Sequence, residues 1–201
     1  MRLVLALLLL LPGLALAQSS PYPALYDVAR VAADDVLNVR EKPDAGSRII
    51  GTLAPDQTGI EVAETNDDRT WAQINAGEQR GWVSLAYLER QPGQEGFPAI
   101  RACFGAEPFW ALRREGAGWL YSAVDQADLL FDETWSAPAL GRLEPYGMTL
   151  SNDGGTAQAV IRRELCSDGM SDRIAGLTIE MILTSGRASR LVTGCCSLTA
   201  P

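Results

Sequence analysis

The sequence predicts an all-β protein: a small barrel, then a second β-barrel or strongly curved antiparallel sheet stapled by disulfides. Three observations carry this. Short β-branched or aromatic runs alternate with turn residues, and no convincing helical period appears after the first twenty residues. Pro and Gly cluster at Gln91–Pro98, which reads as a linker over residues 90–98. All four cysteines, Cys103, Cys166, Cys195 and Cys196, fall after that cluster.

The first unit is read as residues 26–89. Leu37 and Val39 alternate with Asn38 and Arg40, so one face is apolar. Glu41–Gly46 is a turn or loop. Ile49 and Ile50 precede Gly51 and Leu53, and Ile60 and Val62 alternate with Glu61 and Ala63. Trp71, Ala72 and Ile74 make a further strand. Asn75-Ala76-Gly77 turns the chain back into Gly81-Trp82-Val83, and Tyr87-Leu88 closes the unit. Short strands in so small a unit favour a barrel, because closure removes exposed edges.

The string Leu37-Asn38-Val39-Arg40, Pro43, Ile50-Gly51-x-Leu53, Trp71, Gly81-Trp82-Val83 and Tyr87-Leu88 resembles a bacterial Src homology 3-type domain in order and spacing. Glu41-Lys42 stand where that family usually has a small residue and Gly before the Pro. The resemblance implies an envelope protein that binds cell-wall peptide or an envelope protein through an aromatic groove. Trp71, Trp82 and Tyr87 are the candidates to line it. Tyr and Trp suit such a surface because a rigid ring carries a polar handle. The competing expectation for each Trp is a place in the core.

The second unit is read as residues 99–201. Phe109–Arg113, Trp119–Val124, Ala159–Leu165, Leu177–Leu183 and Arg190–Cys196 read as strands of a sheet with roughly six to eight. Leu177, Ile179, Met181 and Leu183 share a face, with Thr178 and Glu180 on the other. Gly116-Ala117-Gly118 and Asn152-Asp153-Gly154-Gly155 are turn signals. Gly105-x-Glu107-Pro108-Phe109-Trp110, Cys166-x-Asp168-Gly169-Met170-Ser171-Asp172 and Gly194-Cys195 together resemble a set of bacterial envelope proteins and lipoproteins without assigned chemistry. A weaker likeness is to META-type envelope lipoproteins. These resemblances imply a location and a fold class only.

The first residues read as a secretory signal peptide over 1–17. Arg2 supplies a positive start, Leu3–Leu11 an apolar run too short to span a bilayer, and Ala15-Leu16-Ala17 a small-x-small cleavage site. A retained anchor is the alternative. The expected location is the periplasm, with no transmembrane segment in the mature chain, and an oxidising space in which cysteines pair.

At 47% hydrophobic residues the chain is globular. Its net charge of −8 argues against nucleic acid and against anionic membrane surfaces. There is no His, which removes Ser-His-Asp and Cys-His catalysis and the usual zinc hydrolase sites. The only Lys is Lys42, beside Pro43 in a turn-like stretch. No cofactor is expected.

Four cysteines in an exported unit read as two disulfides, for which three connectivities exist. Neighbours on a strand point to opposite faces, so Cys195 and Cys196 should take different partners. We favour Cys166–Cys195 with Cys103–Cys196 over the exchanged pairing. These close loops of about 30 and about 95 residues, worth roughly 3.5 and 4.7 kcal/mol in the chain-entropy account. A Cys₄ zinc site lacks its C-x₂-C knuckle, and no metal is expected.

Asp168-Gly169-Met170-Ser171-Asp172 is the most function-like string. Its carboxylates and hydroxyl fit a ligand contact or a calcium loop, against the plainer expectation of a tight turn that bonds its own backbone. Glu107, with Asp168 or Asp172, could form the carboxylate pair of a glycosidase. The leading reading is a non-catalytic binding module, with Tyr87, Trp82, Trp71, Glu107, Asp168 and Asp172 as tentative contacts. The alternative is a carboxylate-based enzyme acting on wall glycan or a small ligand. The doublets Arg113-Arg114 and Arg162-Arg163 each place one side chain inward and one outward.

Overall fold

The structure is a computed structural model that describes residues 22–199. The leader expected at 1–17 lies outside the described residues. Among them, no helix is long and apolar enough to cross a membrane.

The N-terminal unit has eight short strands: β1 (Ala24–Val28), β2 (Leu37–Arg40), β3 (Ile49–Leu53), β4 (Ile60–Val62), β5 (Glu64–Thr65), β6 (Trp71–Ala76), β7 (Gln79–Ser84) and β8 (Leu88–Arg90). They form two sheets, ordered β4-β1-β8 and β3-β2-β7-β6-β5. Alternate residues of β1, β2 and β4 turn inward, and Tyr26, Val39, Val62, Ile74 and Val83 meet in one core. Two details differ from the sequence reading. The first strand starts at Ala24, two residues before the expected boundary. Tyr87 is not in a strand but in a single 3-10 turn, Leu85–Tyr87, which leaves its ring outside the sheet.

The second unit is a closed eight-stranded antiparallel barrel: β9 (Ala102–Ala106), β10 (Phe109–Glu115), β11 (Gly118–Ala123), β12 (Leu129–Pro138), β13 (Tyr146–Asn152), β14 (Gly155–Cys166), β15 (Ala175–Ser185) and β16 (Ala188–Ser197). Each strand pairs with the next, and β16 closes onto β9 through Cys195↔Phe104, Cys196↔Cys103 and Ser197↔Ala102. The inward side chains fill the middle of the lumen, as expected at eight strands. Trp110, Leu112, Trp119, Tyr121, Phe131, Met148, Ile161 and Met181 are all buried there. Bulges between Glu133 and Trp135 and between Arg163 and Cys166 bend β12 and β14 around the lumen.

The two disulfides follow from this pleat. Cys103 and Cys196 face each other across the closing seam, inside the barrel, and are bonded. Cys195 points outward and is bonded to Cys166, at the end of β14. There are no free cysteines.

The seam allows very close approach. A Cβ on Gly194 would lie 2.0 Å from the Phe104 carbonyl oxygen and 3.0 Å from the Trp110 ring. Gly194→Ala is therefore expected to destabilise the fold by about 1–3 kcal/mol, the usual cost of overpacking. A thermal melt checks this, and an unchanged midpoint would show that the seam can widen.

The arginine doublets split as the pleat requires. Arg114 turns into the barrel end, donating to Glu133 at 2.6 Å and lying 4.9 Å over the Trp119 ring, while Arg113 is exposed. Arg163 turns in and donates to the Tyr146 hydroxyl at 3.0 Å, while Arg162 pairs outside with Glu180 at 3.2 Å.

The two units are docked, not strung on a free linker. Gln94 acts as a surrogate strand residue, taking the Leu25 amide at 2.6 Å and donating to the Leu25 and Gln91 carbonyls. Asn75 exchanges two hydrogen bonds with the Ile174 backbone, at 2.7 and 2.9 Å. Arg163 reaches the Pro23 carbonyl at 3.0 Å, and Phe97 packs edge-on against Tyr146. The Glu61 carboxylate accepts from the Ser197 hydroxyl, from the Leu198 amide at 3.0 Å and from the Thr199 hydroxyl at 3.4 Å.

Candidate functional site

The outer face of the five-stranded sheet carries the aromatic residues singled out above. In the β6–β7 ladder Trp71 lies opposite Ser84 and Gln73 opposite Trp82, while Arg40 of β2 also lies opposite Trp82. Directly opposed residues share a face, so Trp71, Trp82 and Arg40 stand on one side. Over part of this face the loop before β2 and the 3-10 turn after β7 build walls. The result is a groove of about 530 Å³ lined by Val31, Asp35, Val36, Arg40, Trp71 and Tyr87, among others. Trp71 and Tyr87 are brought together in it. Trp82 sits beside it on the same face and does not line it.

The walls are held by backbone-directed bonds. Arg30, in a left-handed conformation at φ 62°, donates from Nε to the Ala86 carbonyl at 2.7 Å and from Nη2 to the Leu88 carbonyl at 2.9 Å. The Ala29 amide donates to the Tyr87 carbonyl at 2.9 Å. Together these tie the loop before β2 to the turn that carries Tyr87. On the other side Asn66 Oδ1 accepts from the Thr70 and Trp71 amides, both at 2.9 Å, and the Leu85 amide donates to the Thr70 carbonyl. Arg40 donates to the Ser47 carbonyl at 2.7 Å and holds the loop after β2.

Residues 35–89 match the family model of the bacterial SH3 domain. The match starts within the groove's first wall and ends where the linker begins. No curated protein and no solved structure matches this chain. The SH3 domain is a binding module, and its groove presents two aromatic faces, Val36 and the Asp35 carboxylate on a rigid frame. Such a surface can take a short extended segment by stacking and edge hydrogen bonds. Arg30 had no signal in the sequence beyond its charge. It was missed because its role is to bond carbonyls more than fifty residues away.

Of the three candidate carboxylates of the second unit, Glu107 and Asp168 line one groove and Asp172 does not. Glu107 is exposed in the β9–β10 turn and shares an outer groove with Asp168, Glu164 and Arg162. Asp172 is not part of that groove. Its backbone is spent on the SH3 domain, in a bridge to Gln79 and a bond from the Arg80 amide at 3.2 Å.

Asp168 organises its own loop, accepting from the Met170 amide at 2.9 Å, the Ser171 amide at 3.0 Å and the Ser171 hydroxyl. Partial burial works against its charge. The bonds from Met170 and Ser171, with Arg173 nearby, outweigh that and hold its carboxyl below the usual range. A general acid needs the opposite shift, so Asp168 does not suit that role.

Proposed function

We propose that this is an exported envelope protein whose SH3 domain recognises a short peptide segment, either cell-wall peptide or a segment of an envelope protein. The observation that carries the reading is the convergence of Trp71 and Tyr87 in one groove whose walls are pinned by Arg30 and Asn66. The two disulfides are consistent with an oxidising location, as is the leader read in the sequence. The barrel docks through Asn75, Gln79 and Arg80, none of which lines the groove.

The test is co-sedimentation of the chain from Gln18 onward with purified insoluble peptidoglycan at two salt concentrations. Pelleting that falls roughly thirtyfold in apparent affinity in Tyr87→Ala or Trp71→Ala, as for an interfacial aromatic anchor, supports wall binding through the groove. Trp82→Ala is expected to cost much less, because Trp82 does not line the groove. A chain that stays in the supernatant rules out the cell wall, and the envelope-protein reading is then tested by crosslinking at Tyr87.

A further inference from the structure

An eight-stranded barrel is only just wide enough for its side chains to fill. Here the filling is uneven. The end that faces the SH3 domain is closed by Arg163, Tyr146 and the docked Phe97. At the opposite end lie the hairpin tips Asn152–Gly155 and Ser185–Ala188 and the loop after β11. The inward positions of β14 there are Gly155, Ala157 and Ala159, all small. Gly155 admits nothing larger, since a Cβ would lie 2.0 Å from the Thr184 carbonyl oxygen. The space is left open as a cup of about 550 Å³, with Phe131 and Leu183 at its floor and Leu129 in its wall. That volume is in the range of small-molecule sites, and barrel mouths are a common place for them.

Of the residues that line the cup, Arg190 is the one cation. Arg190 lies directly opposite Leu183 in the β15–β16 ladder, so its side chain enters the mouth. Its Nη2 donates to Gln126 Oε1 at 2.6 Å and approaches the Tyr121 hydroxyl at 3.5 Å, and the guanidinium lies 5.7 Å from the Tyr121 ring centre. These contacts orient the guanidinium without neutralising it. Among the described residues no carboxylate forms an ion pair with Arg190, unlike Arg48, Arg90, Arg114 and Arg162. Five N–H donors in a fixed fork leave the rest for a carboxylate. Asp153 on the same rim repels a dianion such as phosphate about twice as strongly as a monoanion, which favours a single negative charge beside Arg190.

We propose that the open barrel mouth binds a small monocarboxylate with a linear apolar body, of the medium-chain fatty acid class. The chain lies on Phe131, Leu183 and Leu129, and the carboxylate meets Arg190. This site is independent of the SH3 groove and stands whether or not that domain binds the cell wall.

The test is calorimetric titration of the full chain with decanoate and with 1-decanol below their aggregation limits. It is paired with amide NMR shifts of Gly154, Gly155 and Ala188. Decanoate is expected to bind once per chain and to move those amides. Arg190→Gln should weaken decanoate about tenfold to a hundredfold, the value of one charge-assisted hydrogen bond, and leave decanol within about twofold. Arg190→Lys keeps the charge and should retain most of the decanoate affinity, which separates charge from folding. The proposal is overturned if decanoate gives no saturable binding, moves amides elsewhere only, or binds Arg190→Gln as tightly as the unaltered chain.

Discussion

Replacing Cys103 and Cys196 together by Ala is expected to be the most damaging change outside the barrel packing itself. The bond closes a loop with a sequence separation of 93 residues, which the chain-entropy account values at roughly 4.7 kcal/mol. For a chain of this length that is a fall of roughly 10–20 °C in melting temperature. The second pair, Cys166–Cys195, has a separation of 29 and is worth roughly 3.5 kcal/mol on the same basis. The two lesions should also differ in kind. Cys103–Cys196 sits inside the seam where β16 meets β9, so its loss opens the barrel. Cys166–Cys195 is outside and anchors the segment that meets Gln79, Arg80 and Asn75 of the SH3 domain, so its loss loosens the docking first. Denaturant melts combined with hydrogen exchange distinguish them. A larger effect from the second pair would refute this ranking.

The second large effect is a pH dependence seated at Glu61. Its carboxyl is buried between the units, and burial pushes its pKa above the ordinary 4.5. The bonds from Ser197, Leu198 and Thr199 offset only part of that cost. Its other oxygen, Oε1, is buried with no donor, so a negative charge there is only half satisfied. The folded chain therefore holds this proton to higher pH than the unfolded chain does. Stability from this group is full below the ordinary carboxylate pKa. It falls as pH rises from about 4.5 through the folded-state value, then levels.

Each pKa unit between folded and unfolded chain is worth about 1.4 kcal/mol, or roughly 3–5 °C in melting temperature at this size. Glu133 and Asp168 act in the opposite direction. Both are held below the usual range, because bonds from their neighbours outweigh partial burial. Their contribution is lost only as pH falls below the ordinary carboxylate range.

Glu61→Gln isolates the first effect, because Gln mimics the protonated carboxyl in shape. Its melting temperature should match that of the unaltered chain near pH 4, exceed it as pH rises above the ordinary carboxylate range, and hold that excess once Glu61 has ionised. A difference that stays flat as pH rises from near 4 would mean that the charge is accommodated at the interface.

How far the sequence could be read depended on local pattern. Leu177, Ile179, Met181 and Leu183 alternate without interruption, and that strand was legible because its inward face is continuous. β12 was not, because the bulge at Glu133 and Trp135 breaks the period of two. β13 hid behind Pro145 and Gly147, which read as turn residues. Gly147 is in fact the floor on which the Trp135 ring lies, where a Cβ would be 2.6 Å from that ring. β9 is mostly small residues and gives little pattern. At the candidate site, Trp71 and Tyr87 were legible as aromatic residues in a recognisable string. That they share a groove while Trp82 stands outside it was not.

The sequence by itself determined the all-β class, the two-unit order and the opposite facing of Cys195 and Cys196, because these follow from periodicity, turn residues and the pleat. Only the tertiary structure decided which groups meet across long separations. It closed the barrel at Cys103–Cys196, buried Glu61 under the Ser197–Thr199 segment, assigned Arg30 to carbonyls of the Tyr87 turn and left Arg190 without an ion pair above an open cup. The physical reason is that a strand's pattern states which side chains turn inward, but not what stands opposite them. Register and docking settle that, and they depend on the whole chain at once.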